Sequence, residues 1–231
     1  MFRSALLRLK IQTFTAGILL QLATEATEPW GVQTQMINQL FEDGHLNAIL
    51  RDNLHNNWKG TLFESYVNLS TKNKGVFGEA LVEQFMKSLG CSVSSPTNVG
   101  HDRIFDGYKT EIKFSLANSP MDKKLGQKLI NPDEFTFNHI AQYKDWDRLV
   151  FFGINPEPSQ DRVNWRPGKR PPQFRAFFMN KAEFQKHLPS SVFSPQQGGI
   201  SGGNDDYMVG GYNKFRSLMS LPFVRPVIGN W

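Results

Sequence analysis

A chain of 231 residues, 39% hydrophobic and 13% aromatic, is too apolar to stay disordered and long enough for one core with a helical appendage, but not for two independent enzyme domains. Its net charge of +5 suits an anionic partner, because positive surface potential raises both encounter rate and affinity for nucleic acid. A single cysteine, Cys91, excludes an intrachain disulfide framework or a cysteine-rich zinc site and points to a reducing compartment, and no stretch approaches the ~20 apolar residues that span a bilayer.

In chain order, the N-terminal stretch carries Arg3, Arg8 and Lys10 and no acid before Glu25, as targeting segments do. Lys10, Gln12, Thr13 and Thr15 break its apolar run, and Ala16 to Ala23 is short and interrupted by Gln21, so a packed helix is the expectation. Residues 1–70 read as a helical region, with Met36, Ile37, Leu40, Phe41 and Leu46, Ile49, Leu50, Leu54 at three- and four-residue spacing. A more apolar helix is predicted from Gly75 to Leu89, through Phe77, Leu81, Val82, Phe85 and Met86, closed by Gly90. Arg103 to Phe105 and Tyr108 to Phe114 flank Asp106-Gly107, a pair that tolerates the positive φ of a tight hairpin. A helix is expected around Phe135 to Trp146, a buried strand at Leu149 to Ile154, another at Phe174 to Met179, and a helix near Lys181 to His187. The order α-β-β-α-β-β is that of an α/β fold. Residues 71–190 are thus the expected core of the domain, and 191–231, glycine-rich from Gln196 to Tyr212, an extension of the same domain.

The hairpin concentrates the chemistry. A two-residue turn pairs 105 with 108, 104 with 109 and 103 with 110, so Asp102 faces Glu111. Opposed residues have Cβ atoms about 4.5–5.5 Å apart, and like charges there repel, so something cationic is expected between them. Alternation sets Glu111, Lys113 and Ser115 on one face and Tyr108, Thr110, Ile112 and Phe114 on the other. Two such carboxylates suit Mg²⁺, which keeps waters and phosphate oxygens as its remaining ligands, and Lys113 is placed to orient a water or stabilise developing charge. Glu79 falls at the edge of a buried helical face, where a carboxylate needs a partner; Glu83, one turn on, is its weaker rival. A short Glu-Ile-Lys run is by itself compatible with a solvated strand face. What favours a site is its conjunction with the aspartate, the turn, the following apolar strand and the Gly-Glu helix.

The segments Gly75-Val76-Phe77-Gly78-Glu79, Gly100-His101-Asp102, Glu111-Ile112-Lys113 and 147–154 resemble the PD-(D/E)XK nuclease superfamily, and more narrowly the type II restriction endonucleases of bacteria, over residues 75–155 or so. The resemblance implies a restriction-endonuclease-like core, a central mixed β-sheet flanked by helices. It also implies Mg²⁺-dependent phosphodiester hydrolysis in the bacterial cytoplasm, by a homodimer that cuts both strands. Carried over, Asp102 and Glu111 are metal ligands, Lys113 the motif lysine, and Glu79 the supporting helix acid and a further ligand. His101 stands where the named motif has proline, and Asp106 is a rival aspartate whose place in the turn makes Asp102 the better choice.

For double-stranded DNA, the basic run around one tryptophan, Arg162, Trp165, Arg166, Lys169 and Arg170 with Arg175 close behind, is the expected contact surface; its plain alternative is a solvated hairpin tip. Lys123, Lys124 and Lys128 form a second, less distinctive basic patch. His139 is assigned no role and His101 is left open. Gly198 to Gly203 lacks the strand and lysine of a phosphate loop, and Asp205 and Asp206 read as loop solvation. A structure-selective nuclease, or a non-catalytic DNA-binding module on the same fold, are the competing readings.

Overall fold

Asp106 (φ 48°) and Gly107 (φ 84°) both take the left-handed backbone that a two-residue hairpin turn demands. In the computed structural model of the chain, β2 (Arg103–Phe105) and β3 (Tyr108–Leu116) accordingly pair in the expected register, 103 with 110, 104 with 109 and 105 with 108. The structure describes residues 29–42, 44, 46, 58, 60–117, 129–160, 163–167, 170–188, 190–196, 206–228 and 231. The expected N-terminal helix before residue 29, the second basic patch and the 198–203 glycines lie outside them, as do Arg162 and Lys169.

Helix α1 (Pro29–Glu42) and a short 3₁₀ turn at Tyr66–Asn68 precede α2 (Thr71–Ser88). Helix α2 starts four residues before the expected Gly75, because the Ser70 hydroxyl accepts from the Asn73 N–H (3.3 Å) and caps it. The central sheet has six strands in the order β1-β2-β3-β5-β6-β9, where β1 is Val93–Ser94, β5 Arg148–Ile154, β6 Phe174–Asn180 and β9 Arg225–Pro226. Strands β3 and β5 are parallel and the other neighbours antiparallel, so the sheet is mixed. Helix α3 (Lys181–Lys186) follows β6 as expected.

The helix expected around Phe135 to Trp146 is instead strand β4 (Thr136–Ala141), which with β7 (Ser194–Pro195) and β8 (Asp206–Gly210) makes a second, three-stranded sheet. A bulge at His139 (φ 55°) shifts the register between Phe137 and Ile140. The extra residue brings side chains three apart to one buried face, and the sequence therefore mimics a helical period. His139 consequently sits on a strand, not a helix. Part of the glycine-rich stretch is β8, and a further helix, α4 (Tyr212–Met219), follows it.

The two faces of the central sheet pack differently. Phe114 meets Tyr66 and Phe77 on the helical side, and Phe85 of α2 meets Phe152. On the other side Phe137 of β4 lies on Phe151, and Phe215 of α4 on Phe177. The fold is thus α/β, a central mixed sheet with helices and a small second sheet against it. Among the described residues no helix is long and apolar enough to cross a membrane.

Gly78 lets α2 lie flush on β3: a Cβ there would stand 2.6 Å from the Phe114 Cβ, an atom fixed to its backbone. Gly78→Ala is expected to cost about 1–3 kcal/mol despite alanine's better helix propensity. Urea unfolding reads the loss, and an unchanged or raised midpoint would refute the close-contact argument.

Candidate active site

The hairpin ladder ends on the Asp102 side chain. The Asp102 N–H donates to the Thr110 carbonyl (2.9 Å), and its Oδ2 accepts from the Ile112 N–H (2.7 Å). The carboxylate is therefore fixed at the mouth of β2 and β3, beside Glu111. Burial first, and then the Glu111 charge, push the Asp102 carboxyl up to about 6. The Ile112 N–H opposes this, Glu79 adds to it, and Lys113 offsets part of it.

Glu111 is 1% exposed. Its Oε1 accepts from two ammonium groups, Lys113 Nζ at 2.7 Å and Lys144 Nζ at 3.0 Å. Its Oε2 is buried and, among the described residues, has no hydrogen-bond partner. An ionised oxygen in that state is costly unless a cation or a donor reaches it. Lys144 was not legible in the sequence, because its position depended on a segment that reads as helix and folds as a strand and turn. Burial pulls its ammonium down, but the Glu111 carboxylate more than offsets this and holds it above its usual value.

Neighbouring contacts tie the Asp102 loop to the Lys144 turn. A Cβ on Gly100 would meet the Asp145 backbone nitrogen at 2.7 Å, so only glycine permits that approach. Buried His101 sets Nδ1 3.1 Å from the Asp145 carbonyl oxygen, and its Nε2 lies 3.3 Å from the Thr97 N–H. Its partners can only accept at the first nitrogen and only donate at the second, so the neutral Nδ1–H tautomer satisfies both. His101 is thus a brace. The Lys181 ammonium in turn donates to the Lys144 carbonyl (2.5 Å).

Glu79 reaches the same neighbourhood from α2, but its Oε2 takes the Arg103 Nη1 (3.0 Å). Arg103 Nε donates to Glu83 Oε2 (2.7 Å), and Nη1 also donates to the Asp102 carbonyl (2.6 Å). Arg103 thus neutralises both helix acids, a role the sequence did not disclose although the residue adjoins Asp102. Among the described residues no group of three or more His, Cys, Asp or Glu side chains is placed to hold a metal ion. Asp102 and Glu111 remain as a pair. A pair suffices for Mg²⁺, which is bound by one or two carboxylates with waters and phosphate oxygens, and the unpartnered Glu111 Oε2 suits it.

Asp106 is engaged in the turn, where its Oδ1 accepts from the Ser92 N–H (2.7 Å) and hydroxyl (2.9 Å). Of the residues expected to meet DNA, Trp165 packs partly against the core, Arg170 lies over its ring at 5.6 Å, and Arg166 lies over the Tyr212 ring at 3.5 Å. Arg175 is held by Asp133, Nη2 to Oδ2 at 3.1 Å and Nε to Oδ1 at 3.3 Å. The structure thus brings Asp102, Glu111 and Lys113 together with Lys144, sets Glu79 on Arg103, and keeps the basic loop elsewhere. Neither a scan of protein-family models nor a search of curated proteins returns a match to this chain.

Proposed function

We propose that the chain is a Mg²⁺-dependent type II restriction endonuclease that hydrolyses phosphodiester bonds of double-stranded DNA at a specific sequence, on a restriction-endonuclease-like core and as a homodimer addressing both strands. The observation that carries this reading is the buried Glu111 carboxylate, with two lysines on one oxygen and, among the described residues, no partner on the other, beside an Asp102 whose carboxyl is pushed up to about 6. Asp102 and Glu111 would hold the metal ion. Bound there, Mg²⁺ supplies polarisation of the scissile phosphate and a lowered pKa for a coordinated water.

The protein's own groups divide the remaining work. Lys113, 13% exposed, orients the attacking water and stabilises the charge that develops on the phosphoryl oxygens. Lys144 gives the buried Glu111 carboxylate a second countercharge. Glu79 and Arg103 fix the Asp102 backbone. Trp165, Arg166, Arg170 and Arg175 belong to the surface that meets the duplex.

The decisive experiment incubates purified protein with unmethylated phage-length DNA in Mg²⁺ or EDTA. Discrete fragments that require Mg²⁺ are expected, with a loss of 10²- to 10⁴-fold in Lys113→Ala. An intact duplex alongside a cleaved four-way junction would replace sequence-specific cutting by a structure-selective activity, and cleavage undiminished by Lys113→Ala would remove the site.

A further inference from the structure

The fold gathers basic side chains at a second place. Four arginines from three segments, Arg166, Arg170, Arg175 and Arg216, line one cleft of about 930 Å³ together with Asp133 and Tyr212. Among the described residues, only Arg175 is neutralised there, by its two-pronged contact with Asp133. Among the described residues, Arg166, Arg170 and Arg216 make no ion pair, and their guanidiniums donate no hydrogen bond. Arg166 and Arg216 lie against the Tyr212 ring, at 3.5 and 5.6 Å from its centroid. That ring limits where the guanidiniums can go but consumes none of their N–H donors. Like charges brought together in this way repel, and all three of these arginines are exposed.

A phosphoester is the complementary ligand. Guanidinium N–H groups match phosphate oxygens in geometry as well as charge, and the volume exceeds what one phosphate ion needs. The cleft is separate from the carboxylates, because Phe135 packs over Gly153 and the Thr136 N–H donates to Ser115 Oγ between them. Ser115 pairs with Gly153, and Gly153 with Arg175, so Arg175 shares its sheet face with Glu111 and Lys113. Four residues along the strands and two strands across put the Glu111 and Arg175 Cα atoms roughly 16 Å apart.

We infer that this arginine cleft is a phosphate seat that grips the DNA backbone away from the scissile bond, an inference that rests on the nuclease reading for the source of the phosphate. Arg166 and Arg216 supply the free charge, and Arg175, fixed by Asp133, sets the floor of the cleft.

The test is fluorescence anisotropy of a dye-labelled 20-base-pair duplex in EDTA, as a function of salt, with wild type, Arg166→Gln/Arg216→Gln and the exposed-surface control Lys186→Gln. Unchanged thermal melting establishes that the variants fold. The double variant is expected to bind at least about tenfold more weakly, with a salt slope smaller by about 2, while the control matches wild type. Competition with pyrophosphate identifies the source: displacement of duplex only at millimolar concentrations supports the DNA backbone, and micromolar displacement would assign the cleft to a free phosphorylated ligand and overturn the DNA source. Equal affinity and slope in wild type and double variant would overturn the seat itself. Because binding is read without metal, duplex held through the cleft but never cut in Mg²⁺ would defeat the nuclease reading and leave the seat standing.

Discussion

Asp102→Asn should abolish cleavage and, in metal-free buffer at pH 8, make the protein more stable than wild type. The Asp102 carboxyl titrates near 6 in the folded chain against an ordinary 3.8. Between those values the folded state holds a proton that the unfolded state has released, so stability falls as pH rises through the window. Above it, folding carries a cost of up to about 3 kcal/mol from ionising Asp102 in its buried site beside Glu111. Asparagine is neutral, and its carbonyl can still accept from the Ile112 N–H, so the fold keeps its ladder end. The melting temperature should rise by roughly 5–10 °C, and the gain over wild type should grow between about pH 4 and pH 6 and then level. Mg²⁺ should raise the wild-type melting temperature and leave the variant's unchanged. A variant less stable than wild type at pH 8, or one equally stabilised by Mg²⁺, would contradict the strained-carboxylate account.

Glu111→Gln should have the opposite effect on stability. Lys113 and Lys144 both donate to Glu111 Oε1, and the glutamate is almost wholly buried. Removing the charge strands two partly buried ammonium groups, and breaking a buried pair in this way costs about 3 kcal/mol or more. Relief of the Asp102 repulsion returns part of that cost. Urea unfolding at pH 8 should therefore show a clear loss, together with loss of cleavage. Lys144→Gln in the same background should recover part of the stability without restoring activity, because one of the stranded charges is then gone. If both carboxylate replacements moved stability in the same direction, the two residues would not be the distinct halves of a site that the geometry describes.

The two variants differ because the surroundings of the two acids differ. Glu111 has its countercharges built in, on one oxygen, whereas Asp102 has a backbone N–H and, among the described residues, no lysine bond of its own. The pair is satisfied asymmetrically, which leaves one demand for positive charge between them. Asn98, Gly100 and His101 fasten the Asp102 loop to Asp145, next to Lys144, so the positions of both the acid and the second lysine depend on the same turn.

The hairpin was legible in the residues alone. Asp106-Gly107 specifies the turn, the turn specifies the register, and the two-residue period then puts Glu111 and Lys113 on one face and Phe114 on the other. The apolar strands at Leu149 and Phe174 and the capped helix after Phe178 were equally local, since each carries its own periodicity or its own end signal. Strand β4 was not, because a bulge at His139 gives a strand the spacing of a helix, and only its pairing with β8 and the contact of Phe137 with Phe151 decide the matter. Lys144, the diversion of Glu79 to Arg103, and the meeting of Arg216 with the 166–170 segment also belong to the tertiary structure. The sequence determined which carboxylates and which lysine share a hairpin, because strand pairing across a two-residue turn is a local consequence of backbone sterics. The folded chain alone decided that Lys144 joins Lys113 on Glu111 and that Arg103 takes Glu79, because these partners lie 33 and 24 residues apart and no local rule fixes where such segments go.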